Sequence, residues 1–200
     1  MTRKKFIFII VITLFSIGTD ASSFSLNNQA IIGQIQQLRP SCYFGFQYPL
    51  GSMEKGYDTG FSFGVNAFHR EKIYGSLHPG INFSFNFLPP ESTNDDSYAD
   101  ISIIPGVRYF QPSGMKFQNP LILNDPFRMF VQTGFGITQW NTKGSSKFKV
   151  FDSSVSDTDF AFNLGAGLTS GKLDILLMYT NIFAHNNSIK YCTLSVGFFF

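Results

Sequence analysis

Cys192-Thr193-Leu194-Ser195-Val196-Gly197-Phe198-Phe199-Phe200 closes a chain of 200 residues. Cys192, Leu194, Val196, Phe198 and Phe200 alternate with Thr193, Ser195, Gly197 and Phe199, so one face is continuously apolar and the other mostly small or polar. A period of two makes this a strand. The second face decides which side is buried. A strand face turned to bulk water carries Lys, Glu and Arg, whereas Thr, Ser and Gly suit the crowded interior of a small barrel. The large apolar face is then expected to point outward, into lipid. A soluble barrel with an apolar cavity is the opposite solution of the same alternation.

Composition agrees with the lipid-facing solution. Hydrophobic residues make up 44% of the chain and aromatics 17%, with 25 Phe and 18 Gly, but charged residues only 14%. A typical soluble domain carries about 25% charge. Outside the first twenty or so residues, no stretch approaches the roughly 18 apolar residues of a spanning helix. Apolar content spread over short alternating runs is what a membrane barrel requires, because its backbone bonds close between strands.

Arg3, Lys4 and Lys5 precede an apolar run from Phe6 to about Gly18, followed by Thr19-Asp20-Ala21. This reads as a signal peptide over residues 1–21, cleaved after Ala21. Its removal takes three of the 15 basic and one of the 13 acidic residues, leaving twelve of each. A neutral mature chain gives no argument for nucleic acid as a partner. Residues 22–40 read as a periplasmic lead-in ended by Pro40, and residues 41–200 as the barrel domain.

The alternation continues through the chain. Phe44, Phe46 and Tyr48 are expected outward on a first strand with Gln47 inward; Phe61, Phe63 and Val65 outward on a second with Ser62 and Asn66 inward. Ile81, Phe83, Phe85 and Phe87 oppose Asn82, Ser84 and Asn86 on a third, and Ile101 to Tyr109 oppose Asp100, Ser102 and Arg108 on a fourth. Pro105 removes a ladder donor, so a bulge or local break is expected there. Residues 111–126 form an irregular connection with three prolines. The fifth strand, 127–140, sets Met129, Val131 and Phe135 against Arg128, Gln132 and Thr138. A Ser170-Gly171 turn joins the sixth and seventh strands, which place Asn163 and Asp174 inward. Loops at residues 52–56, 89–98, 141–159 and 185–188 face outward. Tyr48, Tyr98, Tyr109, Trp140 and Tyr179, near strand ends, fit interfacial girdles.

The count is eight: an all-β, eight-stranded antiparallel up-and-down transmembrane β-barrel. Phe162-Asn163-Leu164-Gly165-Ala166-Gly167-Leu168 with Leu173-Asp174-Ile175 and Tyr179 resembles the penultimate hairpin of the small OmpA/OmpX-type outer-membrane barrel family. Ile104-Pro105-Gly106-Val107-Arg108-Tyr109-Phe110 is similar to that family's middle hairpin. The stripe Leu194, Val196, Phe198 and Phe200 resembles the C-terminal signal by which such barrels are recognised for assembly. These resemblances imply location in the cell outer membrane. The implied partners are outer-membrane lipid and lipopolysaccharide, the barrel assembly machinery through the last strand, and an extracellular ligand or host surface through the loops.

An eight-stranded barrel is just wide enough to be filled by its own side chains. Asp100, Arg108, Arg128, Gln132 and Asp174 are therefore expected to form a polar network inside it, with Arg108 paired to Asp100 or Asp174. Cys42 and Cys192 lie on neighbouring strands at different heights, too far apart for a disulfide. His69, His78 and His185 have no spacing suited to a metal, and no cofactor or metal is expected. Phe183 to Ser188 resembles the His and Ser segment of lipid A deacylases, but a triad also needs an acidic residue, and no Asp or Glu follows Asp174. The expected function is non-enzymatic, in envelope structure or surface contact. A narrow channel is the alternative and a lipid A-modifying enzyme the third reading.

Overall fold

Alternating apolar and small residues cannot bury both faces of a flat sheet in water, but they suit a sheet closed on itself. A computed structural model describes residues 37–69, 76–91, 96–111, 127–144, 155–184 and 188–200. The expected signal peptide, most of the expected lead-in, residues 112–126 of the prolyl connection and His185 lie outside the described residues. Eight strands follow one another: β1 Leu38–Leu50, β2 Gly60–His69, β3 Leu77–Leu88, β4 Asp96–Phe110, β5 Arg128–Gly144, β6 Val155–Ser170, β7 Leu173–Phe183 and β8 Ser188–Phe199. Each pairs antiparallel with its sequence neighbours, and β8 pairs with β1 to close the barrel.

The register fixes the shape. Arg39 pairs with Phe68, and the row continues through Gly80, Gly106, Gly134, Asn163, Thr180 and Tyr191. It returns to β1 at Pro49, ten residues from its start. Such a stagger tilts the strands by about 40° to the barrel axis. At the end bearing the C-terminus, Phe200 N–H donates to Pro40 O at 3.2 Å, and Arg39 Nη2 donates to Gly171 O at 2.6 Å. Gly171 opens a two-residue turn with Lys172 at φ 56°, so the β6–β7 turn sits one residue later than the sequence suggested.

The two faces divide as the alternation requires. Phe44, Phe63, Phe135, Leu177 and Phe198 are exposed, while Gln47, Asn66, Asn82, Arg108, Asn163 and Asp174 are buried. A fold that hides amides and charges while presenting phenylalanines is built for a hydrocarbon surround. Phe61 and Phe63 of β2 pack on Phe85 of β3, with ring centroids 6.4 Å and 5.0 Å apart.

Several local expectations are corrected. At Pro105 the local break forms and the bulge does not: the β4–β5 register is the same on both sides, but pairing lapses at Ile104 and Pro105, where proline offers no donor. β5 and β6 run on to Gly144 and back from Val155, so much of the expected 141–159 loop is strand. Above a membrane both faces of a hairpin are wet, which erases the apolar alternation that marks strands below. The polar stretch after β1 is a 3₁₀ turn, Gly51–Lys55, whose Met53 turns into the barrel.

Candidate functional site

The interior contains two polar layers. In the layer toward the C-terminal end, Arg108 of β4 donates from Nη1 to Asp174 Oδ2 of β7 at 2.7 Å. It also donates from Nη2 to Gln132 Oε1 of β5 at 2.9 Å. Its guanidinium lies between two rings, 4.4 Å from the centroid of Phe68 and 4.0 Å from that of Phe130. Arg108 is 1% exposed, so the charge is tolerable only because pair, amide and ring faces all meet it.

The two clamping rings have room because each faces a glycine. Phe68 pairs with Gly80 and Phe130 with Gly167, and a Cβ at Gly80 would meet Phe68 Cδ1 at 2.4 Å. Tyr43 lies in the same way over its partner Gly64. Phe68 and Phe130 escape a sequence reading that looks only for polar interior residues. The signal is an aromatic on the small-residue face opposite a glycine in the next strand.

The second layer surrounds Asp100. Tyr98 OH and Tyr191 OH donate to Oδ2 at 2.9 Å and 3.0 Å, while Asn86 Nδ2 and Ser102 Oγ donate to Oδ1 at 2.8 Å and 2.9 Å. Ser102 Oγ also lies 2.7 Å from Thr138 Oγ1. Four donors stabilise the carboxylate, and among the described residues no cation pairs with it. Over this layer Met53, Leu88, Tyr98, Ile182 and Tyr191 form a buried apolar cluster, with Trp140 packed against it.

Of the expected network, Arg108, Gln132 and Asp174 come together and Asp100 forms a separate layer. Arg128 does not join either. It stands at the first position of β5, exposed at the barrel mouth, with its guanidinium 5.0 Å from the Phe110 centroid. A long cation at a strand end reaches water more cheaply than it pairs inside. Tyr98 and Trp140 are not girdle residues either: Tyr98 is buried, and Trp140 Nε1 donates to Asp159 Oδ2 at 2.8 Å. Tyr48 and Tyr109 do face outward. Cys42 and Cys192 are free thiols, and Cys192 pairs with Tyr48, six residues along β1 from Cys42. At the C-terminal end, His78 Nδ1 lies 2.9 Å from His69 O. Leu194, Val196, Phe198 and Phe200 all face outward.

No family model matches the chain, and no curated protein matches it in sequence. Among solved structures it is similar to Neisserial surface protein A, NspA, at 14% identity and TM-score 0.57 over 82% of this chain and 96% of that one. The chain has the fold of an outer-membrane β-barrel. It is also similar to the outer membrane enzyme PagL, at 15% identity and TM-score 0.47 over 80% of this chain and 98% of that one. Ail, the attachment invasion locus protein of Yersinia pestis, matches at 14% identity and TM-score 0.44 over 82% and 99%.

Proposed function

We propose that this protein resides in the outer membrane of a Gram-negative-type envelope, both termini toward the periplasm, and acts there without catalysis, in envelope structure or in surface contact through its outward loops. The observation that supports this is the filled lumen. The Arg108 layer and the apolar cluster over Asp100 occupy opposite ends of the interior, leaving the outer wall and the loops as the surfaces that meet other molecules. Residues 1–21 deliver the chain as a signal peptide. The outward stripe Leu194, Val196, Phe198 and Phe200 presents the last strand to the barrel assembly machinery. Lipid and lipopolysaccharide surround the wall.

Flux and lipid analysis separate this reading from its rivals. Liposomes carrying the folded chain are expected to pass no more ions or dye than lipid alone. Cells producing it are expected to keep an unchanged lipid A mass. Measurable flux would favour the channel, and a mass shift lost in His185→Ala would favour the enzyme. Replacing residues 145–154 by a Gly-Ser linker is expected to preserve the barrel and weaken adhesion of producing cells to host-cell matrix. Unchanged adhesion would remove surface contact through that loop.

A further inference from the structure

At the end of the barrel bearing the C-terminus, three cations gather about the β6–β7 turn. Arg39 Nη2 donates to Gly171 O at 2.6 Å, and Lys172 is the next residue. Arg128 pairs across the ladder with Thr169, two residues before Gly171. Rings orient two of them: the Arg39 guanidinium lies 4.0 Å from the Phe199 centroid, and that of Arg128 lies 5.0 Å from the Phe110 centroid. Among the described residues no carboxylate pairs with any of the three, and Asp174 is taken by Arg108. At the opposite end the exposed charges of the described residues run the other way, with Glu54, Asp58, Glu91, Asp96 and Asp157 against Lys55.

Register relates the cations to the lipid-facing wall. The paired rows climb ten residues in one circuit of eight strands, about 1.25 per strand, so Arg39, Arg128 and Lys172 stand within about one residue of a common height. Met129 and Tyr109 are exposed on the outer wall within about two residues of that height. An outward tyrosine at the end of the apolar wall marks the level of the lipid headgroups. Directly above the turn, the outward row Met129, Leu168 and Ile175 continues the apolar surface. Cations below and hydrocarbon contacts above match the two parts of one phospholipid.

We propose that the β6–β7 turn, with Arg39 and Arg128 beside it, binds the phosphate of an anionic glycerophospholipid in the periplasmic leaflet, its acyl chains lying along Met129, Leu168 and Ile175. This rests on the outer-membrane reading above and names the lipid that the wall selects. The two guanidinium groups offer forked donors to phosphate oxygens, and Lys172 adds a point charge. Like charges held at one turn repel one another, and an anionic headgroup relieves that repulsion. A zwitterionic headgroup also carries phosphate, but its own ammonium is repelled by the same three cations. Lipopolysaccharide phosphates lie in the other leaflet, where the exposed side chains are mostly acidic.

The test is native mass spectrometry of the full chain folded in an uncharged detergent with equimolar phosphatidylglycerol and phosphatidylcholine. Heat-modifiable migration first shows that the chain and each variant have closed. Retention of phosphatidylglycerol over phosphatidylcholine by about fivefold is expected, the effect of a single Lys or Arg at an anionic lipid surface. The preference is expected to vanish in Arg128→Gln/Lys172→Gln and to persist in Lys55→Gln/Lys190→Gln, which removes two cations from the opposite end. Equal retention of both lipids by the closed native chain, or a preference that survives Arg128→Gln/Lys172→Gln, overturns the proposal and leaves the membrane reading standing. Equal retention together with sedimentation on peptidoglycan sacculi that needs Arg128 and Lys172 overturns it in favour of the cell wall. A chain that never closes in detergent overturns both.

Discussion

The ring of Phe130 lies over Gly167, its partner across the β5–β6 ladder, so closely that a Cβ at Gly167 would stand 2.5 Å from Phe130 Cζ. Since Phe130 is one of the two rings holding the Arg108 guanidinium, the glycine positions the charge indirectly. Gly167→Ala is expected to cost about 1–3 kcal/mol, as small-to-large changes in packed interiors do. Reversible urea unfolding in lipid vesicles measures it. A neutral result would show that the ring moves freely and does not clamp Arg108.

The Arg108–Asp174 pair gives a second expectation. Asp174→Ala leaves a buried guanidinium held only by Gln132 and the rings, and is expected to destabilise by about 3–5 kcal/mol. The double variant Arg108→Met/Asp174→Leu removes both charges and is expected to recover most of that loss. If the double variant is no more stable than Asp174→Ala, the cost of the single change does not come from a stranded charge.

Around Asp100 the expectation concerns one donor among four. Tyr191→Phe removes a hydrogen bond to a carboxylate and one shared with Asn86, and is expected to cost about 1.5–3 kcal/mol. Tyr98→Phe should behave similarly, and the pair should not be additive, because both hydroxyls bond the same oxygen. Equilibrium unfolding of the three variants checks this, and strict additivity would contradict a shared site.

The order and facing of the strands were legible because lipid on one side and a narrow lumen on the other impose one rule on every residue. Phe83 and Asn82 could hardly be confused. The rule weakens where the environment changes. Beyond the membrane, Asn141 to Gly144 read as loop although all four pair with β4, and Asn141 and Thr142 also with β6, as strand. Inside, Arg108 was found by its charge, but its partner was left open between Asp100 and Asp174. That choice depends on register, which places Arg108 opposite Gln132 and Asp100 opposite Trp140. Phe68, Phe130 and Tyr191 were missed as interior residues because an aromatic inside a polar lumen makes sense only beside its glycine or its carboxylate.

Cys42 and Cys192 provide a check on facing that does not depend on stability. Both lie outward, and their places on β1 and β8 keep them apart. Folded protein in vesicles is expected to react slowly with a membrane-impermeant maleimide at Cys192, and both thiols should label fully after boiling in detergent. Immediate labelling of Cys192 in the folded state would place it in water.

The central claim, a closed barrel with an apolar outside and a polar inside, meets its most direct test in gel migration of the full chain folded in detergent, with and without boiling, beside its far-ultraviolet circular dichroism. The account predicts a strand-dominated spectrum and a folded band that shifts on boiling. A chain that stays soluble and folded without detergent, with no heat-dependent shift, would contradict it.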